Sequence, residues 1–129
     1  MLHPVDIEKI KRFFSEQSSI AAAYVFGSVA TGKARKKSDI DLAVMVTGNM
    51  AAMDRVEMET ALSNLLRRDV DLVIFHQGSP LLQHQILAHG RLIYEASPKE
   101  RVRQEVFARN AYFDSAFLYK KLHRKPVHG

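Results

Sequence analysis

The sequence predicts an α/β fold, with a small mixed sheet flanked by helices and followed by a long C-terminal helix. Three apolar runs, at 20–26, 40–46 and 70–75, have the length and composition of buried strands. Segments with helical spacing of apolar residues precede, separate and follow these runs, which is the order expected of an α/β sandwich. The 129 residues suffice for one domain with a modest core.

Composition narrows the class of protein. With 47% hydrophobic and 26% charged residues, the chain is typical of a folded globular protein rather than a disordered one. It contains no cysteine, which excludes disulfides and thiolate metal sites and favours a reducing compartment. Met1–Pro4 lacks the features of a signal peptide, and no apolar run is as long as a membrane span. We therefore expect a cytoplasmic protein with no membrane partner.

The charge balance is basic, with a formal net charge of +5. Many of the basic residues lie at 33–37 and 120–125, so they do not form one continuous stripe. A basic protein suits a polyanionic ligand, such as a nucleotide, RNA or an acidic partner, but the charge does not choose among them. Because no aromatic residues are interleaved with the basic loop, we expect no direct nucleic-acid binding.

The first part of the chain predicts one helix and two strands. The helix is expected over 4–16, where Pro4 suits the first turn and apolar residues recur on one face. Strands are expected over Ile20–Phe26 and Ile40–Val46, with a loop or short helix over 28–37 between them.

The next helix is predicted over Met50–Arg67 and is expected to cover the sheet. At about 100° per residue its apolar residues share one face. These residues are Ala51, Met58, Ala61, Leu62, Leu65 and Leu66. The opposite, solvent-facing side is expected to carry Glu57, Glu59, Ser63 and Asn64.

A third strand, a helix and an edge strand are predicted to follow. The strand is the apolar run Val70–Phe75. Gly78–Pro80 begins a helix over 81–88, which Gly90 ends. Leu92–Tyr94 is expected to form a short edge strand.

The last element is a helix predicted from Pro98 to about Leu122, with two apolar stripes. The first stripe consists of Val102, Val106, Phe113 and Phe117. The second consists of Phe107, Leu118 and Leu122. We expect one stripe to pack on the domain and the other to contact a partner, because exposed apolar surface on a small protein usually marks an interface. The chain thus divides into a core, 1–97, and a helix with a basic tail, 98–129, which is part of the same domain or a partner-binding extension.

The candidate functional site is the stretch Gly27–Leu42. Gly27 permits a tight turn and a close approach of the backbone to a ligand, and Ser28 offers a hydroxyl before N–H groups that can face an anion. Asp39 and Asp41 begin a strand, so both carboxylates point to one face with Cα atoms about 6.6 Å apart. Carboxylates at this spacing can share hard cations, and phosphates opposite them would place Mg²⁺ in between.

These residues carry a resemblance. Gly27-Ser28, ten intervening residues and then Asp39-Ile40-Asp41 resemble the signature of the DNA polymerase beta-type nucleotidyltransferase superfamily. The short chain is most similar to the minimal nucleotidyltransferases (MNT), the antitoxins paired with HEPN-domain ribonuclease toxins. The motif is specific because the dipeptide, the spacing and Ser-Asp-Ile-Asp-Leu must all coincide. The resemblance implies a nucleotidyltransferase-like fold with residues 1–97 as the nucleotidyltransferase core.

The resemblance also implies a catalytic site with two Mg²⁺ ions and with ATP as the nucleotide donor. Asp39 and Asp41 would bridge both ions, and a third carboxylate on a neighbouring strand would complete the set. The chain offers Asp69 and Asp71, which point to the same face, so spacing alone cannot separate them. Asp71 is preferred because it lies within the apolar strand, as the third acid of the family does. It would bind the metal beside the nucleophile and help to accept its proton.

Nucleotide binding is assigned to Gly27, Ser28, Lys33, Arg35 and Lys36. As a group the basic residues are expected to neutralise phosphate, although any one of them is equally consistent with a solvated loop. Many relatives carry arginines where this chain has Val29 and Thr31, and their absence removes guanidinium contacts to phosphate. The retention of catalysis is therefore a question for experiment.

The resemblance implies that this antitoxin transfers AMP from ATP to a tyrosine of a cognate HEPN toxin, which it would contact through the C-terminal helix. A second hypothesis is a binding module, an antitoxin that neutralises the toxin by contact with catalysis weak or lost. Adenylylation of another acceptor, such as an antibiotic, ranks lower because such relatives typically carry an additional domain. A small basic RNA binder also ranks lower.

Overall fold

The structure is a computed structural model that describes residues 2–27 and 39–122. The described part contains four α-helices and four strands. In chain order they are α1 (Pro4–Ser15), β1 (Ile20–Phe26), β2 (Ile40–Val46), α2 (Ala52–Leu66), β3 (Val70–Ile74), a 3₁₀ turn (Phe75–Gln77), α3 (Pro80–His89), β4 (Arg91–Glu95) and α4 (Pro98–Leu122). Each predicted helix and strand in this part is confirmed, with shifts of one or two residues at some ends. The loop or helix predicted over 28–37 lies outside the described residues.

The four strands form one mixed sheet in the order β3-β2-β1-β4. β1 pairs antiparallel with both β2 and β4, whereas β2 and β3 run parallel. A parallel pair needs a crossover connection, and α2 supplies it between β2 and β3. β3 and β4 are therefore the edges of the sheet, and the predicted mixed sheet flanked by helices is confirmed.

Each face of the sheet packs against two helices. α1 and α2 bury Ile10, Phe14 and Leu62 against one face, where Leu42 and Leu72 also lie. On the other face α3 and α4 contribute to a second cluster, formed by Ala21, Ala22, Tyr24, Ala43, Met45, Phe75, Ile86 and Ala108. Since side chains alternate along a strand, Asp41 of β2 is on the face of Ala43, toward α3 and α4.

The rotation of α2 differs from the prediction. Met58, Leu62 and Leu66 are buried as expected, but Leu65 is 39% exposed and Ala61 is also exposed. Glu59 and Ser63, expected to face solvent, instead accept hydrogen bonds from the backbone of β3. The helix turns these polar side chains toward the edge strand because backbone N–H groups there need acceptors.

The packing face of α4 is also different, because neither predicted stripe packs on the domain. Val102, Val106, Phe113 and Phe117 are 47–67% exposed, and Phe107, Leu118 and Leu122 are 54–78% exposed. The buried residues of the helix are Gln104 and Ala108. The small side chain of Ala108 permits close approach to the sheet, and the Gln104 side-chain amide donates to the Val46 carbonyl at 3.0 Å. The prediction of one packed stripe was therefore wrong.

Polar contacts also attach the first half of α4 to the sheet. The buried Tyr24 hydroxyl of β1 donates to Glu105 at 2.5 Å, and Arg101 pairs with both Glu105 and Glu95 of β4. Burial raises the pKa of Tyr24 above its usual value, and the hydrogen bond to Glu105 raises it further. The tyrosine therefore remains a neutral donor at physiological pH.

Within residues 2–27 and 39–122, no helix is both long and apolar enough to cross a membrane.

Candidate active site

Two aspartates meet where β1 ends and β2 and β3 begin. Asp41 of β2 and Asp71 of β3 are directly paired residues of the parallel strands. On its other side Asp41 is paired with Phe26, the last residue of β1. Neighbouring strands lie about 4.8 Å apart, so the two carboxylates leave the same face of the sheet from adjacent positions. The fold thus brings together two acids that are 30 residues apart in the sequence.

A third acid, Asp39, precedes β2 and is exposed. Burial raises the pKa of the Asp41 carboxyl above its usual value, and the negative charges of Asp71 and then Asp39 raise it further. Asp41 is therefore close enough to each of the other two carboxylates to be repelled by both. A cation bound among them would relieve that repulsion.

The donor set fits a hard cation chemically. Carboxylate oxygens are the ligands that Mg²⁺ prefers, and Mg²⁺ usually keeps several waters alongside one or two carboxylates and substrate phosphates. Among the described residues no three acidic, histidine or cysteine side chains converge closely enough to enclose an ion. Any ion bound by Asp39, Asp41 and Asp71 would therefore need water and substrate oxygens to complete its coordination.

Gly27 makes room for the Asp41 carboxylate. Its backbone has φ +73°, a left-handed conformation that favours glycine. A Cβ atom at this position would lie only 2.3 Å from Oδ2 of Asp41. Any side chain would therefore displace the carboxylate, which gives a physical reason for glycine immediately after β1.

The other predicted nucleotide contacts belong to the segment that follows Gly27. Ser28, Lys33, Arg35 and Lys36 lie outside the described residues, as do Val29 and Thr31. Of the five residues assigned to nucleotide binding, Gly27 is the one within the described part of the chain. Gly27 lies close to the Asp41 carboxylate, and its role in nucleotide binding stays a prediction.

Asp69 and Asp71, the two candidates for the third acid, have different surroundings. The Asp69 carbonyl accepts a hydrogen bond from the Ile40 N–H at 2.9 Å, just before β3 begins. Asp71 lies inside β3, beside Asp41, and its charge contributes to the raised pKa of Asp41. This arrangement supports Asp71 as the third acid, and its role as a ligand stays a prediction.

Comparison with known proteins identifies the family. Residues 8–99 match the family model described as polymerase beta, nucleotidyltransferase. The chain belongs to this family. The matched region begins in α1 and ends in the first turn of α4, so it contains the whole sheet and the three aspartates. The nucleotidyltransferase resemblance seen in the Gly-Ser and Asp-Ile-Asp motif is thereby confirmed.

One relative with a known activity is similar to part of this chain. The chain is 34% identical over 71 residues to the protein adenylyltransferase MntA of Shewanella oneidensis. That match covers 55% of this chain and 51% of the relative, so it spans about half the length of that protein.

Solved structures show the same fold. A chain of a toxin–antitoxin crystal structure with AMP-PNP superposes with a TM-score of 0.80 at 24% identity, covering 90% of this chain and 94% of the other. A chain from a complex of tri-AMPylated Shewanella oneidensis HEPN toxin with MNT antitoxin has a TM-score of 0.75 at 22% identity, with 92% of each chain covered. The predicted nucleotidyltransferase-like fold is confirmed.

Sequence reasoning overlooked a group of polar residues next to the nucleotidyltransferase acids. Arg55, Glu59 and Ser63 of α2 all bond to the backbone of β3 on either side of Asp71. Arg55, Glu59 and Ser63 are spaced four residues apart, as are the buried residues Met58, Leu62 and Leu66 of the same helix. This shared spacing is the sequence pattern from which the group could have been predicted.

Proposed function

We propose that this chain is a Mg²⁺-dependent adenylyltransferase that transfers AMP from ATP to a tyrosine of a HEPN ribonuclease toxin and thereby acts as its antitoxin. The observation that carries the proposal is the pairing of Asp41 with Asp71 beside the Gly27 turn, in a chain of the nucleotidyltransferase family. The similarity to a protein named as a protein adenylyltransferase supports this choice of reaction.

The proposed reaction uses the three acids in different roles. The tyrosine oxygen forms a bond to the α-phosphorus of ATP, the bond to the β-phosphate oxygen breaks, and pyrophosphate leaves. Bound Mg²⁺ would lower the pKa of the attacking hydroxyl and hold the triphosphate. Two Mg²⁺ ions are proposed, and Asp39 and Asp41 would each ligate both of them. Asp71, exposed at the edge strand, would ligate the ion on the acceptor side and receive the proton of the hydroxyl.

ATP would be held between the acids and the segment after β1. Gly27 allows the backbone to approach the phosphates, and Ser28, Lys33, Arg35 and Lys36 are the proposed polar and cationic contacts. Because Val29 and Thr31 occupy positions of arginine in many relatives, these lysines and Arg35 would supply most of the positive charge.

The second half of α4 is the proposed contact for the toxin. Phe113 and Phe117 are 67% and 66% exposed, and Leu122 is 78% exposed. Aromatic side chains are enriched in protein interfaces because they bury much area for little conformational entropy. We thus propose 98–129, the C-terminal helix with its basic tail, as the partner-binding part of the chain, in which the beginning of α4 packs on the core and its end binds the partner.

A second candidate function is neutralisation by binding alone. The exposed apolar side chains of α4 support it, since a helix that buries them against a toxin could neutralise that toxin without catalysis. The two functions differ in their need for Asp41. An antitoxin that acts by contact neutralises the toxin with Asp41→Asn, and an adenylyltransferase does not.

The experiment is to incubate the chain with ATP, Mg²⁺ and a candidate HEPN protein, sought in the neighbouring reading frame, and to measure the intact mass of that protein. A gain of one or more adenylate units on a tyrosine is expected, and omission of Mg²⁺ with added chelator should abolish it. An unchanged mass, together with full neutralisation of the ribonuclease, would instead establish the binding module.

A further inference from the structure

The outer edge of β3 is closed by side chains from a helix rather than by another strand. β3 ends the sheet, so Val70 and Leu72 turn their N–H groups away from β2. The Ser63 hydroxyl accepts from the Val70 N–H at 3.0 Å, and Glu59 Oε2 accepts from the Leu72 N–H at 2.8 Å. These two bonds occupy donors on either side of Asp71.

Arg55 is the third residue of α2 that bonds to the backbone of β3. Its Nη1 atom donates to the Leu72 carbonyl at 3.0 Å and pairs with Glu59 Oε2 at 3.2 Å. The side chains of Arg55 and Glu59 are only 32% and 26% exposed, so this pair is partly shielded from water. Hydrogen bonds to charged groups are about twice as strong as neutral ones. Three successive turns of α2 thus hold both backbone groups of Leu72 and one of Val70.

These contacts affect the position of Asp71 because it lies between Val70 and Leu72, the two residues that α2 holds. Its carboxylate leaves the opposite face of β3 from Leu72, so the α2 side chains do not compete with it for a ligand. An edge strand has a single neighbouring strand to set its position, and β3 is only five residues long. Without α2, pairing with β2 alone would maintain the alignment of Asp71 with Asp41.

We propose that Arg55, Glu59 and Ser63 are positioning residues that keep Asp71 beside Asp41 for cation binding and adenylyl transfer. This inference rests on the proposed function. It assigns to a helix on the far side of the sheet a role in the affinity of the site for its metal. The competing explanation is that the same contacts merely cover an edge strand and prevent association with other chains.

The test is a comparison of Glu59→Ala with Glu95→Ala in the full chain. Glu95 lies on β4, the opposite edge, pairs with Arg101, and has a side-chain exposure of 28%, close to that of Glu59. Both variants therefore lose a carboxylate that pairs with a half-buried arginine at a sheet edge. Binding of Mn²⁺ is measured by electron paramagnetic resonance without nucleotide, alongside Tm and the kcat and KM for adenylyl transfer.

We expect Glu59→Ala to weaken Mn²⁺ binding by about 10-fold, the lower end of the losses seen when a residue that orients a metal ligand is removed, and to lower kcat more than it changes KM for ATP. Glu59→Gln, which keeps the acceptor for the Leu72 N–H, should restore most of the affinity. Glu95→Ala should bind Mn²⁺ like the wild type. Should Glu59→Ala fail to fold, Ser63→Ala removes a single bond of the set and is measured in its place.

Unchanged Mn²⁺ affinity in Glu59→Ala would overturn the inference, as would an equal loss in Glu95→Ala. Self-association of Glu59→Ala at unchanged affinity would establish the edge-covering explanation instead. A wild-type chain that binds Mn²⁺ but transfers no AMP would refute the proposed function and leave the positioning role standing on its binding data. A wild-type chain that binds no Mn²⁺ would refute both.

Discussion

Asp71 on the edge strand of the sheet is the direct neighbour of Asp41 on the adjoining parallel strand. The helix between the two strands brings these acids together, and burial combined with the neighbouring charges raises the pKa of Asp41. A carboxylate whose ionisation is opposed by burial and by neighbouring negative charges is a suitable partner for a divalent cation, because the cation offsets those charges.

Replacing either paired acid should abolish adenylyl transfer. Asp41→Asn and Asp71→Asn each remove a proposed metal ligand, and the loss of several kcal/mol of charge stabilisation corresponds to a fall in kcat on the order of 10²–10³-fold. The measurement is the rate of adenylate incorporation into the HEPN protein by mass spectrometry.

The matched control for these acids is Asp69→Asn. Asp69 lies two residues before Asp71 and contributes its backbone carbonyl, which the substitution retains, to the bond with Ile40. We expect its activity to stay within about twofold of the wild type, since surface substitutions are usually mild. A large loss in Asp69→Asn with none in Asp71→Asn would reverse the assignment of the third acid.

Gly27→Ala should inactivate the protein by displacing the Asp41 carboxylate. The new Cβ atom would lie 2.3 Å from Oδ2 of Asp41, on a backbone with φ +73°. Gly48→Ala is the matched control, because Gly48 has φ +82° and a Cβ atom at this position would have no neighbour within 4 Å. Both variants should lose about 1–2 kcal/mol of unfolding free energy through the left-handed backbone. Only Gly27→Ala should lose Mn²⁺ binding and transfer, and equal activities would contradict this explanation.

Stability should depend on pH through Asp41. Its pKa is raised in the folded chain, so the folded state binds this proton more tightly than the unfolded state does. Stability therefore falls as pH rises from the unfolded pKa of about 3.9 through the raised folded value. Asp41→Asn does not lose stability in this way, because its side chain does not ionise. The Tm of Asp41→Asn relative to that of the wild type should therefore increase between about pH 3 and about pH 7. Added Mg²⁺ should narrow the gap at neutral pH, and a difference that is constant with pH would exclude Asp41 as the cause.

Removing exposed aromatics from α4 should weaken partner binding without affecting the fold. Phe113→Ser combined with Phe117→Ser deletes two side chains that are about two-thirds exposed, so Tm should change little. Affinity for the HEPN protein, measured by calorimetry, should fall by about 10-fold or more, as expected for interface aromatics. Met53→Ser, at a position 67% exposed on α2, is the control and should bind normally. Equal affinities would place the interface elsewhere.

Much of this protein follows from local sequence patterns. Apolar runs and turn residues located every strand and helix of the described part, because both depend on spacing within a few residues. The alternation of side chains along a strand predicted Asp39 and Asp41 on one face, whereas β2 begins at Ile40 and Asp39 lies just before it, so their common face stays a prediction. The Gly-Ser and Asp-Ile-Asp motif indicated the nucleotidyltransferase family by itself, because residue identity and spacing together make it specific.

The tertiary structure alone decided which residues meet. The pairing of Asp41 with Asp71 depends on the alignment of two strands separated by a helix, which no local period specifies. The rotation of α2 was predicted from an apolar stripe and was wrong at Glu59 and Ser63. One of the two apolar stripes of α4 was expected to pack on the domain, and neither does. An apolar stripe assumes that helices pack only through apolar area, whereas α2 also satisfies the backbone of an edge strand and α4 packs through Ala108 and Gln104. Those demands come from neighbouring elements, so they exist only once the chain has folded.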